Sequence, residues 1–542
     1  MRPTLASLSS SAYTAHTLTS LGNSHASAPG PLRFVMPSVR DIIFMFLFWS
    51  LLAGSLSNRP LADPDIGWHI RTGEQIVQTH TLPRTDPYSS MMQGHAWFAW
   101  EWLYDLALGV LYRAAGLNGV VWLCALIIST TFLSLLSQLL HRGTGLFLAI
   151  VLMLLAEAAS TIHLFARPHI VSWLFTLLWF VALERYQESS APRWLLWFFP
   201  LSIVFWVNLH GEWLFGLALL AIYVLAGFFD ATRESDPFLS VRAFARTKNL
   251  AWTFLASCLA TLANPFGWKL HLHIYHYLGD RYLMNRIAEF RSPDFHGWAQ
   301  RCFGFIILLT LLALVGHRRQ VPTRHILVVL CSIYFGLLSS RNIPISSILL
   351  VLIIGPVLWE NFQALAGHPA GTFSSPAQRI VDFSDRMSLQ ELRLKGHAWP
   401  VLFAVLTLLI CLNGGRAGDR RWINAQFNSQ SVPEAAVDFL ASQPEKDPIF
   451  STDTWGGYII YRLYPHRQVV VDDRHDLYTS TRMRDVLIVL QGEHGWRDIL
   501  EQWRIRTILI PRGSTLANLL RELPQDWQLT YQDSVAEVFQ RK

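Results

Sequence analysis

Charged residues are scarce in this chain of 542: Asp, Glu, Lys and Arg together make 15% of it, where a soluble globular domain carries about a quarter. That supply cannot cover a water-facing surface of this size, so a wholly soluble protein is excluded. The five cysteines, Cys124, Cys258, Cys302, Cys331 and Cys411, form no CxxC pair. Neither a disulfide framework nor a thiolate metal site is indicated, and their place in or beside apolar runs marks them as small buried hydrophobes. A concentrated basic patch is missing too. The net charge of +6 is spread over many loops, which leaves no nucleic-acid surface. No repeat of solenoid period is present. Residues 1–34 contain no acidic residue and no continuous apolar stretch. They read as a disordered tail rather than a cleaved signal peptide, with Met36 as an alternative start.

What the chain has instead is apolar length. Hydrophobic residues make 52%, with 22 Trp and 33 Phe. A helix needs about 20 mostly apolar residues to cross a bilayer, with tilt and flanking residues adjusting the length. Eleven segments meet or approach that, near 40–57, 119–139, 146–163, 170–185, 194–208, 213–229, 249–264, 302–316, 325–339, 344–358 and 398–414. The expected fold is therefore a polytopic α-helical membrane protein of about eleven transmembrane helices. With a cytoplasmic N-terminus, basic residues concentrate inside, as at Arg242, Arg246 and Lys248 and at Arg318, Arg319 and Arg324, which agrees with the positive-inside rule. The long loops 58–118 and 265–301 then lie outside with the short turns FARPH, NLHGE and SSRNIP, while the polar connection 364–397 lies inside. From about residue 430, helical patterns such as PEAAVDFLASQ alternate with strand-like QVVVD, RTILIP and EVFQ, the mark of a small α/β domain on the outer face. The division expected is a cytoplasmic tail over 1–39, a transmembrane domain over 40–415 and an extracytoplasmic α/β domain over 416–542.

This orientation gathers the polar motifs on one side of the membrane. Residues 62–74 read ADPDIGWHIRTGE. Asp63 suits a helix N-cap, Pro64 the first helical position and Asp65 the first turn, where a carboxylate favours the helix dipole. His69 follows Asp65 by one turn. The same two carboxylates, held still at a helix start, are also placed to accept a proton or to hold a divalent cation. The two readings are compatible. Residues 79–105 are rich in Trp, Phe and Tyr and suit a membrane interface, with Glu101 inside the aromatic run. Arg167 in FARPH, Asn208, His210 and Glu212 in VNLHGEW, and Arg341 with Asn342 in SSRNIP stand at span ends. They are either interfacial anchors or functional groups, the arginines offering a fork of donors that fits phosphate oxygens. His271, His273 and His276 are spaced i, i+2 and i+5, which does not bring all three to one helical face as a zinc site prefers.

Together these residues resemble the GT-C superfamily of polytopic glycosyltransferases, which use polyprenyl-phosphate-linked sugars. The resemblance includes a bacterial group with the first-loop pattern D-x-D-x-x-W-H-x-x-x-G-E, continued by P-x-x-D-P-[FY]-S, G-x-x-W and E-W-L. Asp63, Asp65, Trp68, His69, Gly73, Glu74, Pro83, Asp86, Pro87, Tyr88, Ser89, Gly94, Trp97, Glu101, Trp102 and Leu103 carry it here. It extends more distantly to oligosaccharyltransferase catalytic subunits, and it covers most of the chain from residue 40. It implies a first-loop acidic residue as base or metal ligand, Asp63 or Asp65. RIAE over 286–289 looks similar to the T-I-x-E of oligosaccharyltransferases, which implies that Glu289 faces the acceptor. DTWGGY over 453–458 takes the place of their W-W-D-Y-G. It lacks the W-W-D core that reads an acceptor sequon, so asparagine glycosylation is not expected. FARPH lacks the acidic pair that helps bind metal in those enzymes, so a metal is not required; one that is used would be Mg²⁺ or Mn²⁺ on Asp63, Asp65 and Glu289.

The function expected is inverting transfer of a sugar from a polyprenyl-phosphate-linked donor to a glycan, lipid or protein acceptor, on the outer face of a bacterial inner membrane. Asp63, Asp65 and Glu101 are the catalytic candidates. His69, Arg71, Arg167, His210, Glu289, Arg341 and Asn342 are the binding candidates from the membrane domain, with Arg341 and Arg167 set against the departing phosphate. Trp455, Tyr458, Asp472 and Arg474 are those from the α/β domain, which with Asp473 would cap the site or bind acceptor. The rival is a non-enzymatic protein of the same fold, a lipid-linked glycan transporter or an envelope-assembly component. A transporter places polar residues near mid-span, where Glu157 is one of few here. Transfer of a non-sugar headgroup from the same carrier would use the same residue types.

Overall fold

Ser38 opens the first long helix. Its hydroxyl accepts the Asp41 amide, and the Asp41 carboxylate accepts the Ser38 amide in return, a capping box. The computed structural model describes residues 34–188, 191–317, 319–367, 374–394 and 397–542. Most of the tail expected to be disordered falls outside these residues, as do Arg318 and parts of the polar connection 364–397. The helices of the membrane part are α1 (Val39–Leu52), α2 (Ile66–Thr79), α3 (Trp102–His141), α4 (Leu146–Ser160), α5 (His169–Gln187), α6 (Phe198–Leu209), α7 (Trp213–Arg233) and α8 (Pro237–Ala260). They continue with α9 (Trp268–Gly279) and α10 (Arg281–Arg286) in the second long loop, then α11 (Trp298–Gly316), α12 (Thr323–Leu338), α13 (Ile343–Ala366), α14 (Ser374–Arg393) and α15 (Ala398–Leu412).

Each of the eleven apolar segments lies on a helix. Among the described residues, five helices are by themselves long and apolar enough to cross a membrane, or six if α14 and α15, bent by 63°, form one span. The chain is a multi-pass membrane protein. Phe46, Phe205, Leu225, Leu312 and Val315 stay exposed on α1, α6, α7 and α11, large apolar groups that favour lipid over water. α13 runs through the centre, buried throughout residues 343–355. α3 is broken at Gly116, whose backbone is non-helical (φ 61°, ψ −150°). The break separates residues 102–115 from the apolar span that follows.

The C-terminal part begins with a two-residue hairpin, β1 (Arg416–Ala417) and β2 (Arg420–Arg421). It continues through α16 (Glu434–Ser442), β3 (Ile449–Ser451), α17 (Asp453–Leu463), α18 (His475–Gln491), α19 (Trp496–Gln502), β4 (Thr507–Pro511), α20 (Thr515–Arg521), β5 (Trp527–Gln532) and β6 (Ala536–Arg541). Its sheet has the order β3-β4-β6-β5, with β3 parallel to β4 and the other pairs antiparallel. QVVVD, expected as a strand, is not one. Val469 makes isolated bridges to Ile449 and to Ser89 of the first loop, so its backbone is divided between two partners.

That division shows how the α/β part sits. Its core is continuous with that of the helical bundle. α17 crosses α2 where Gly67 meets Gly457: a Cβ on Gly67 would stand 2.2 Å from the Gly457 carbonyl oxygen, a contact that only glycine allows. Arg71 locks the crossing by donating to the Tyr461 carbonyl. The α/β part and both long loops cover one end of the bundle. α14 packs on the opposite end, where Ser388 accepts the Leu146 amide at 2.8 Å and Asp385 accepts the Trp359 indole at 3.0 Å.

Candidate functional site

α2 and α3 also cross at glycines. A Cβ on Gly73 would lie 1.9 Å from the Asp105 carbonyl oxygen, and one on Gly109 would lie 2.2 Å from the Gly73 carbonyl carbon. This approach sets His69 Nδ1 2.6 Å from Asp105 Oδ1. With Nδ1–H donating to that carboxylate, the Nε2 lone pair faces Glu101 Oε2 at 3.9 Å. Glu101 ends the aromatic stretch just before α3, and its other oxygen lies 3.5 Å from His210 Nε2. His210 is held in turn: Arg341 Nη2 donates to its Nε2 at 2.9 Å, which leaves Nδ1–H to donate to Ser172 Oγ at 2.9 Å.

The other acidic residues meet at arginines. Arg167 Nη1 lies 2.8 Å from Asp63 Oδ2, 3.2 Å from Asp65 Oδ2 and 2.9 Å from Glu289 Oε1. Arg341 takes the second Glu289 oxygen at 2.8 Å and Glu212 at 3.1 Å. Asp63 Oδ1 accepts the Asp65 amide at 3.1 Å, the bond an N-cap makes, although regular helix begins only at Ile66. Capping and ion pairing therefore share one carboxylate.

Beside this network lies a cavity of about 1010 Å³. Leu214, Phe215 and Ala218 of α7 and Phe335 and Leu338 of α12 give it an apolar flank, while Glu101, Arg167, His210, Glu212, Arg341 and Asn342 form a polar one. The α/β part closes it with Asp473, Arg474, His475 and Asp476. Burial pushes Glu101 up to about 8, against the pull of Arg341 and Arg167. Burial and then the charge of Asp63 push Asp473 up to about 8, and burial raises Glu212 to about 7 despite Arg341. Burial also raises Asp63, outweighing Arg167. Glu289 goes the other way. Burial opposes its charge, but Arg167 and Arg341 hold it well below the usual carboxylate range. Burial, aided by Arg167 for His69 and by Arg341 for His210, keeps both imidazoles neutral.

The structure brings together Glu101, Arg167, His210, Arg341, Asn342 and Arg474 as cavity-lining residues. Asp63, Asp65, His69 and Glu289 stand behind them, paired to Arg167, Asp105 or Arg341. Four candidates lie away from the cavity. Arg71 serves the α2–α17 joint. Trp455 is buried with its indole on the Ser431 carbonyl, and Tyr458 packs against Phe427 and accepts from Arg462. Asp472 is buried against Arg474 at 2.7 Å, and that arginine also holds Asp86 at 2.8 Å and lies over the Trp97 ring. Of the two adjacent aspartates, Asp473 is the one that turns inward, since neighbours in an extended segment face opposite ways: its carboxylate accepts the Trp68 indole at 3.1 Å and lines the cavity. The string DDRHD carried that signal, but nothing in it tells which aspartate turns inward. The three histidines of the second loop do not converge: His273 pairs with Asp476 and His271 with Thr261. Among the described residues, no group of three or more His, Cys, Asp or Glu is arranged to hold a metal ion.

No family model matches the chain, and no curated protein matches it. Solved structures do. The Archaeoglobus fulgidus oligosaccharyltransferase in the apo form is similar with a TM-score of 0.54 at 10% identity, over 87% of this chain and 69% of that one. The archaeal oligosaccharyltransferase AglB from A. fulgidus, in complex with an inhibitory peptide and a dolichol-phosphate, gives 0.52 at 11% identity over 87% and 69%. ArnT from Cupriavidus metallidurans bound to undecaprenyl phosphate gives 0.50 at 13% identity over 92% and 97%. At these identities the likeness is one of fold, and the fold is GT-C-like.

Proposed function

We propose that this GT-C-like chain is a glycosyltransferase that moves a sugar from a polyprenyl-phosphate-linked donor to an acceptor hydroxyl. It would work on the outer face of a bacterial inner membrane, with a cytoplasmic N-terminus and about eleven spans. One observation carries this reading: a single cavity gathers a buried carboxyl, Glu101, which pairs with His69 and His210 rather than with an arginine, and the guanidinium groups of Arg167, Arg341 and Arg474. A carboxyl near neutral pKa suits proton transfer, and guanidinium forks suit phosphate oxygen. The apolar flank of α7 and α12 suits an isoprenoid chain. The dolichol-phosphate with AglB and the undecaprenyl phosphate with ArnT support the same donor class.

In the proposed step the acceptor oxygen bonds to the anomeric carbon as the bond from that carbon to the phosphate oxygen breaks. The bonding pair leaves on the phosphate, facing Arg341 and Arg474, and the acceptor proton passes to the Glu101 carboxylate. A single displacement inverts the anomeric centre. Asp63 and Asp65, the expected bases, instead hold Arg167 in place. The test uses purified protein in nanodiscs, a panel of polyprenyl-phosphate sugars and an envelope extract as acceptor. Wild type should release polyprenyl phosphate from at least one donor, and folded Glu101→Gln should not. Full turnover by that variant sinks the assignment of the base. Donor that binds but is never consumed favours the non-enzymatic reading.

A further inference from the structure

We propose that the guanidinium of Arg167 takes the place of a divalent cation among Asp63, Asp65 and Glu289, so that the site is built to work without a metal. Three carboxylate oxygens, two from the first loop and one from the second, point at the single atom Nη1 at 2.8, 3.2 and 2.9 Å. An arginine normally meets a carboxylate side by side, two N–H groups to two oxygens. Convergence of several oxygens on one point is instead how a hard cation is held. The charge balance agrees. Arg167 and Arg341 bracket the two oxygens of Glu289 and together supply the two positive charges that a divalent ion would bring as one.

The backbone fixes this arrangement. The Ala166 amide donates to the Pro60 carbonyl at 2.8 Å, and the Ala166 carbonyl accepts the Tyr104 hydroxyl at 3.0 Å. Pro168 then leads directly into α5. The backbone that carries Arg167 is thus tied to the first loop on one side and to a helix start on the other, which aims its side chain from a fixed point. The donor set does not fit Mg²⁺ or Mn²⁺ as it stands: bonds to Mg²⁺ are about 2.0–2.1 Å, and the centre is filled by nitrogen.

The inference concerns the same site as the proposed transfer but does not depend on it, because its test reads metal uptake. Chelator-stripped, full-length protein in nanodiscs is titrated with Mn²⁺ while free ion is followed by electron paramagnetic resonance. Wild type and Asp63→Asn should give superimposable curves. Arg167→Ala should gain one bound Mn²⁺ per chain, and adding Asp63→Asn should remove it. Arg167→Lys, which keeps a point charge there, should behave as wild type. Stoichiometric uptake by wild type that Asp63→Asn abolishes overturns the proposal. So does a folded Arg167→Ala that takes up none. Should Arg167→Ala fail to fold, wild type against Asp63→Asn still decides.

Discussion

As the base of the proposed transfer, Glu101 should make the activity depend on pH in a way no ordinary glutamate would. With its pKa at about 8, about one molecule in eleven carries the carboxylate at pH 7 and about ten in eleven at pH 9. Base catalysis needs the ionised form, so activity rises with pH through the shifted value. kcat/KM should therefore increase roughly tenfold between pH 7 and pH 9 and level off above. A glutamate at its usual value of about 4.3 would give a flat profile over that range. The assay is release of polyprenyl phosphate from a reacting donor at subsaturating concentration, in nanodiscs buffered from pH 6 to 9.5. Two neighbours titrate nearby, Glu212 at about 7 and Asp473 at about 8, so variants must assign the slope. Glu101→Gln should abolish it and lower the rate about 10²–10⁴-fold, or roughly 2.7–5.4 kcal/mol at 1.36 kcal/mol per decade. Asp473→Asn should keep the rise. A flat wild-type profile, or a rise that survives in Glu101→Gln, excludes Glu101 as the base.

Tyr458→Phe should leave donor turnover at the wild-type rate, because Tyr458 packs inside the α/β part and bonds Arg462 rather than facing the cavity; a fall of tenfold or more would restore its expected binding role. Gly67→Ala drives a Cβ into the Gly457 carbonyl and should cost about 1–3 kcal/mol as overpacking, read as a lower thermal midpoint with faster proteolysis of the α/β part. Arg341→Lys keeps charge but loses the fork that reaches Glu289, Glu212 and His210. It should raise KM for the donor about tenfold or more, the worth of one or two charged hydrogen bonds, measured on the same donor series.

The multi-pass helical character was legible because helix formation in an apolar run is a local matter, and each run lies on a helix; among the described residues five or six of those helices are long and apolar enough to cross a membrane. Arg167 and Arg341 were legible as polar residues at span ends, Asp63 as a helix start, Glu101 inside an aromatic run, and Glu289 only through the likeness of RIAE to T-I-x-E. Their pairings were not. Arg167 reaches Asp63 across 104 positions and Glu289 across 122, and periodicity carries no information at that range. Asp63 and Asp65 read as free carboxylates because nothing local announces that an arginine fills the space between them and Glu289. DTWGGY misled in a different way. Its place in the resemblance made Trp455 and Tyr458 binding candidates, whereas both pack inside the α/β part and Gly457 serves the contact of α17 with α2. QVVVD had the composition of a strand, but the first loop competes for its hydrogen bonds at Val469. The Gly73–Gly109 crossing that sets His69 against Asp105 was half visible, since Gly73 belongs to the first-loop pattern while its partner lies in an apolar helix with no motif.

In the proposed function the cavity between α7, α12 and the α/β part receives a lipid phosphate near Glu101. The decisive measurement is a structure of the full chain in nanodiscs with added undecaprenyl phosphate. The phosphate should lie within hydrogen-bond distance of Arg341 and Arg474, with its chain running along Leu214, Phe215 and Leu338. Lipid phosphate bound elsewhere on the chain, with the cavity free of it at saturating concentration, would rule out this cavity as the donor site.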